Sequence, residues 1–320
     1  MFFASLNGVM EKYIQQKTLG GTIEFSGIAL HTGKEASVRI LPAEPDIGYR
    51  FRLADVPGHP EVEASVHNIR DTLLATSLGF NGVSIKTVEH LLSGLAGCGV
   101  DNSLIEVSGQ EIPILDGSAA PFVRGVEMVG LVEQDVPKKM MRILGEIEAR
   151  ENGSRAVLEP ADRFSVSFTI DFAHPLIGHQ EMEFEYSPEA FGREIAFART
   201  FGFLKDVQGM VDKGLALGGS LENAVVLGDD RVLNPGGLRS PDEFVRHKIL
   251  DSIGDLSLLG IPIIGAYKGF KAGHRINRLL MQEVLARPEM WDLVLVADHD
   301  GEDRYREIDP VDSHPLSITL

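Results

Sequence analysis

The chain has 320 residues, 43% of them apolar, which supports packed cores, suggests two domains of roughly 150 residues each and excludes a mainly disordered polypeptide. A formal net charge of −17 and a pI near 5.0 argue against nucleic acid and anionic membrane surfaces as main partners. No apolar run approaches the roughly 18–20 residues of a membrane helix. Met1–Met10 lacks the basic and long apolar parts of a signal peptide, and the lone Cys98 rules out a disulfide framework and fits a reducing cytoplasm.

Strand-like runs open the chain at Thr22–Ser26, Ala36–Leu41 and Tyr49–Leu53. A helix is predicted from about Thr87 to Ala96, stopped by Gly97 and Gly99. A strand follows at Ser103–Val107, then a turn through Ile112–Ser118 and a second helix from about Ala119 to Val129. Glu133–Lys139 is polar and contains Pro137, so it reads as the linker. Beyond it the pattern restarts. Strands are predicted near Met141–Ile147, Ala156–Leu158, Phe164–Phe172 and Glu181–Tyr186, a long helix at Pro241–Leu259, a strand at Ile261–Tyr267 and a helix at Ile276–Ala286. The likeness of Glu89–Leu92 to Arg246–Leu250 hints at a duplication. The expected fold class is α+β, with one domain over residues 1–135 (1–17 an unassigned extension) and another over 140–320.

The long helix carries the chemistry. Ser240 as N-cap, Pro241 at N1 and Glu243 at N3 predict a capping box. Val245, Ile249, Leu250, Ile253, Leu256 and Leu259 cover most of its circumference, so it should be buried. Yet His247, Asp251 and Asp255 share one i, i+4, i+8 line with Lys248 at its edge, and buried charges are costly unless paired or metal-bound. Two readings stand side by side: a salt-bridge network from Lys248 to Asp251 or Asp255, or a metal-ligand pair His247–Asp251 with Asp255 orienting another imidazole. His90 follows Glu89 inside an otherwise apolar helix. It reads as a third ligand beside a carboxylate base, the pairing metal-assisted hydrolysis needs, or as a core histidine next to a surface glutamate. His274, flanked by glycine and basic residues, is a protonated acid or an exposed loop residue; Thr200, among aromatics, is an oxyanion donor or a turn cap. No GxSxG elbow, P-loop or dinucleotide fingerprint is present.

Seven motifs in order resemble the UDP-3-O-acyl-N-acetylglucosamine deacetylases, zinc enzymes of lipid A synthesis in Gram-negative bacteria. They are Gly27–Gly33, Thr87–His90, Ile114–Pro121, Ala198–Phe203, Leu217–Ser220, Phe244–Asp255 and Lys271–His274, spread over about Thr18 to Ala286. The resemblance implies His90, His247 and Asp251 as ligands of zinc, with Fe²⁺ also suited to them. It implies Glu89 as general base, His274 held by Asp255 as its protonated partner, Thr200 and Lys248 at the oxyanion, and Phe201 near the sugar. His31 and Asp206 match positions of less defined role. The implied architecture is two layered sandwich domains with helices inside and the site between them. An insert near 204–227 would offer Leu204, Val207, Ala216, Leu217 and Val226 as an apolar passage for the acyl chain of a UDP-sugar substrate. A cytoplasmic monomer without membrane insertion is expected. The rival readings are another zinc amide hydrolase, disfavoured by the absence of HExxH, and a non-catalytic sugar-nucleotide binder, disfavoured by intact Glu89, His90, His247, Asp251 and His274.

Overall fold

Period-two patterning builds the first sheet: along Glu35–Pro42, Ala36, Val38 and Ile40 point inward while their neighbours face outward. The computed structural model describes residues 13–80, 82–297 and the backbone of 304–307. The first five-stranded sheet runs, in spatial order, Ile23–Ile28, Glu35–Pro42, Ser103–Ser108, Tyr49–Leu53 and Glu61–Glu63. It is antiparallel except where Tyr49–Leu53 lies parallel to Ser103–Ser108. The second repeats the scheme with Ile147–Glu151, Ser154–Glu159, Ala266–Phe270, Ser165–Asp171 and His179–Glu185, the single parallel pair being Ser165–Asp171 with Ala266–Phe270. In each sheet the central strand enters the chain after a buried helix. This shared order extends the repeat hinted at by the short helical likeness.

The helices are α1 (Glu89–Gly97), α2 (Ala120–Val129), α3 (Pro188–Glu194), α4 (Leu204–Val211), α5 (Glu243–Leu256) and α6 (His274–Ala286). Helices α1 and α5 are buried nearly all round and pack against each other. Their approach is close enough to need glycine: a Cβ on Gly254 would meet the Glu89 carbonyl oxygen at 2.1 Å. The α+β layering expected from the sequence is what forms. Among the described residues no helix is long and apolar enough to cross a membrane.

Several local expectations fail for physical reasons. The polar segment read as a linker is a strand, Leu131–Pro137, paired antiparallel with Gln15–Leu19 in a two-stranded ribbon. A ribbon solvated on one side tolerates polar residues, and Pro137 sits at its end, where the missing N–H costs least. The last residues of the unassigned 1–17 stretch therefore belong to paired strand; residues 1–12 lie outside the described residues. The continuous run Met141–Ile147 divides into Lys139–Ile143 and Ile147–Glu151, which join different sheets, and Ile261–Tyr267 divides likewise into Ile263–Ile264 and Ala266–Phe270. Gly265 marks the second division, where a Cβ would press on Ile143 at 2.8 Å and the Glu159 carbonyl at 3.0 Å. The predicted capping box does not form. Helix α5 starts at Glu243 with Asp242 as N-cap, because the Glu243 carboxylate accepts from the Arg199 side chain and from the backbone N–H of Arg199 and Arg239. The Ser240 hydroxyl turns to Asp242 instead.

Candidate active site

The first turn of α1 presents Glu89 and His90; successive turns of α5 present His247, Asp251 and Asp255; α6 begins at His274. Nε2 of His90 and Nε2 of His247 stand 3.5 and 3.4 Å from one oxygen, Oδ1 of Asp251. The two rings are edge-to-face with centroids 5.0 Å apart. One potential ligand atom from each of the three residues lies within 4.8 Å of the others. All three residues are buried, and Asp251 Oδ1 has no hydrogen-bond partner. A buried anionic oxygen left bare between two imidazoles is the environment a cation satisfies, so the donor set fits a divalent metal.

Protonation states agree with that fit. His247 Nδ1 bonds the Ala198 carbonyl at 3.1 Å, which makes Nδ1 the protonated nitrogen and leaves Nε2 with its lone pair toward Asp251. Burial pushes the His247 imidazole down to about 3, so it is neutral, as a ligand must be. Burial alone would raise the Asp251 carboxyl, but the Lys248 ammonium beside it holds it well below the usual range. Lys248 Nζ donates to Asp251 Oδ2 at 2.6 Å. The ion pair of the first sequence reading forms, with Lys248 on one Asp251 oxygen, and the two histidines face the other oxygen in a geometry compatible with the second.

Behind this set lies a second buried cluster. His274 Nδ1 donates to Asp255 Oδ2 at 2.8 Å, and its Nε2 faces Glu89 Oε1 at 3.8 Å. Burial opposes the imidazolium, yet Asp255 outweighs it and raises His274 to about 9. Burial raises the Glu89 carboxyl, partly offset by His274 and His90. Asp255 takes no bond from Lys248; it accepts instead from Thr76 Oγ1 at 2.6 Å and Asn277 Nδ2 at 2.8 Å, with the Tyr267 hydroxyl donating to Asn277 Oδ1 at 2.6 Å. Thr76, Asn277 and Tyr267 go unseen from the sequence. Asn277 alone carries a signal, since it lies one helical turn from His274 on the same face of α6.

The remaining candidates spread outward. The Thr200 N–H donates to the Gly117 carbonyl at 2.8 Å, and its hydroxyl makes no hydrogen bond among the described residues. The Phe201 ring lies 6.1 Å from that of His247. In the insert, Leu204 and Leu217 are exposed, Val207 and Val226 half-buried, and Ala216 takes a left-handed φ of 55°. The insert reaches the site through His31. The Ala216 N–H donates to His31 Nδ1 at 3.4 Å and the Leu217 N–H to the His31 carbonyl at 3.2 Å. Glu111 anchors this hinge by accepting from the backbone N–H of His31 and Thr32 at 2.8 and 2.9 Å. Burial lowers the His31 imidazole. Asp206 is exposed in the first turn of α4 and forms no ion pair among the described residues.

Residues 16–286 match the model of a family described as UDP-3-O-acyl N-acetylglycosamine deacetylase. Relatives carrying the name UDP-3-O-acyl-N-acetylglucosamine deacetylase include that of Thioalkalivibrio sulfidiphilus, 47% identical over 90% of this chain and 95% of its own. That of Pseudomonas entomophila is 46% identical over 89% and 95%, and that of Xylella fastidiosa 44% identical over 88% and 93%.

Proposed function

The chain belongs to the UDP-3-O-acyl N-acetylglycosamine deacetylase family, and we propose that it removes the N-acetyl group of a UDP-3-O-acyl-N-acetylglucosamine, releasing acetate and the free amine in lipid A synthesis. The observation that supports this most is the buried trio His90, His247 and Asp251 beside Glu89 and an Asp255-bound His274. In this reading the trio holds one zinc ion, with Fe²⁺ an alternative compatible with two nitrogens and a carboxylate. When bound, such an ion supplies Lewis acidity, making water acidic near neutrality and polarising a carbonyl.

Glu89 takes the proton from the attacking water as a new C–O bond forms at the acetamide carbonyl. Its burial-raised pKa suits a base that works near neutrality. Charge then develops on the carbonyl oxygen, where the Lys248 ammonium and the unbonded Thr200 hydroxyl serve as donors. His274 is protonated at neutral pH and gives its proton to the leaving nitrogen as the C–N bond breaks; Asp255 fixes the ring so that Nε2, the donor atom, faces the side where Glu89 lies. Phe201 borders the sugar, and the insert with Leu204, Val207, Ala216, Leu217 and Val226 takes the acyl chain, its loop held by His31. The two sheets with their helices correspond to two domains with the site between α1 and α5. The lone, half-buried Cys98 is in keeping with a reducing cytoplasm.

The test is acetate release from UDP-3-O-acyl-N-acetylglucosamine and from the same compound without its acyl chain, alongside hydrolysis of a peptide amide. Turnover restricted to the acylated sugar nucleotide supports the proposal. Comparable turnover of the peptide amide, or binding of the sugar nucleotide without turnover, overturns it.

A further inference from the structure

Glu89 and His274 must keep one relation to each other if one removes a proton and the other delivers one. At 3.8 Å they do not hydrogen-bond directly, so their relation is set by what each is tied to. Thr76 is tied to both. Its backbone N–H donates to Glu89 Oε2 at 3.1 Å, and its hydroxyl donates to Asp255 Oδ1 at 2.6 Å, on the carboxylate whose other oxygen holds His274 at 2.8 Å. Its carbonyl accepts from the Val88 N–H at 3.3 Å, pinning Thr76 to the residue that starts α1. Glu89 lies on α1 and Asp255 on α5, so this one residue spans the contact between the two central helices.

We propose that Thr76 is a positioning residue that locks the base Glu89 and the Asp255–His274 pair into one spatial register, a proposal that rests on the acid and base roles given to them above. Thr76 is 1% exposed, so water cannot replace either bond. The donors also satisfy one oxygen on each of two buried carboxyl groups, which would be costly to leave unpartnered. Asn277, braced by Tyr267, supplies a further donor to Asp255, but among the described residues its side chain hydrogen-bonds neither Glu89 nor α1, which leaves the link between acid and base to Thr76.

Thr76→Val keeps the shape and the backbone N–H and removes only the hydroxyl bond; Thr76→Ser keeps both bonds. In the zinc-loaded protein, the His274 Nδ1–H proton resonance, assigned by its loss in His274→Ala, should shift or vanish by exchange in Thr76→Val and stay in place in Thr76→Ser. kcat should fall about 10- to 100-fold in Thr76→Val, as for other residues that orient a functional group through a hydrogen bond, with KM and bound zinc near the parent values, and Thr76→Ser should recover most of the loss. If Thr76→Val does not fold, Thr76→Cys, with only a weak donor, takes its place. An unmoved resonance, a Thr76→Ser variant as impaired as Thr76→Val, or a loss of activity that tracks loss of zinc would overturn the proposal. A resonance that moves as expected in a parent protein that releases no acetate would support the positioning link and refute the proposed reaction.

Discussion

Glu89→Gln separates the catalytic part of the site from the part that holds metal. The substitution keeps the shape, and Gln can still accept from the Thr76 N–H, now 3.1 Å from Oε2. It removes the proton acceptor, so kcat/KM should fall by about 10²–10⁴, a barrier increase of roughly 3–5 kcal/mol. Zinc content should match the parent, because Glu89 is not one of the three converging ligands. The folded state should respond in the opposite sense. At 3.8 Å and an effective dielectric of about 20, attraction to protonated His274 is worth about 4 kcal/mol. Burial and the Asp251 and Asp255 charges outweigh it, since the net effect raises the Glu89 carboxyl above its ordinary value. A carboxyl with a raised folded pKa destabilises the fold progressively as pH rises above its unfolded value, and fully once pH exceeds the folded one. Metal-free Glu89→Gln should therefore melt at a higher temperature than metal-free parent at pH 8, with the advantage shrinking as the pH falls through the carboxyl's titration. Acetate-release kinetics, zinc analysis and a melting series at several pH values give the three readings. A rate within tenfold of the parent, or a loss of zinc in step with a loss of rate, would refute the assignment.

Chelation should abolish turnover and near-stoichiometric zinc should restore it, while excess zinc inhibits by occupying Glu89 and the position of the attacking water; metal-titrated assays check all three. His274, raised to about 9, is protonated below that value and loses its proton as pH rises through it, so in metal-free protein its ring should titrate near there by NMR and move lower when a divalent cation is added nearby. The same sign makes kcat/KM fall on the basic side, and protonation of Glu89 makes it fall on the acid side; a bell unchanged in both Glu89→Gln and His274→Gln contradicts the roles. Each buried methylene of the acyl chain should contribute about 0.8 kcal/mol, roughly fourfold in kcat/KM, so a chain-length series should rise steeply and then level. Ala216→Phe should move that plateau to shorter chains with zinc retained, and should cost some stability because a bulky residue must adopt the left-handed φ of 55°; an unchanged chain preference places the passage elsewhere.

The α5 line is readable in advance because helical spacing converts sequence distance into direction: residues four apart meet, and His247, Asp251 and Asp255 stand out against an apolar surface. Glu89 and His90 stand out as polar side chains inside an otherwise apolar helix. Hydrogen bonds between distant segments carry no such periodicity. Thr76 reaches Asp255 across 179 positions of sequence, and Glu243 is drawn from its helix start by Arg199, 44 positions away. The α+β class follows from alternating strands and buried helices, whereas the division of Met141–Ile147 between two sheets is marked only by Gly145 and Glu146, a break too short to separate two strands by pattern. Leu131–Pro137 misleads because composition reports exposure, and a solvated ribbon is as polar as a linker.

The proposed reaction requires one metal ion among His90, His247 and Asp251 with Glu89 beside it but not bound to it. Anomalous diffraction at the zinc edge, from crystals of protein loaded with one equivalent of zinc, tests it directly. One strong peak contacting those three side chains is expected, weakened or gone in His247→Ala and retained in Glu89→Gln. A peak elsewhere, or none among these residues in protein that is fully active, would contradict it.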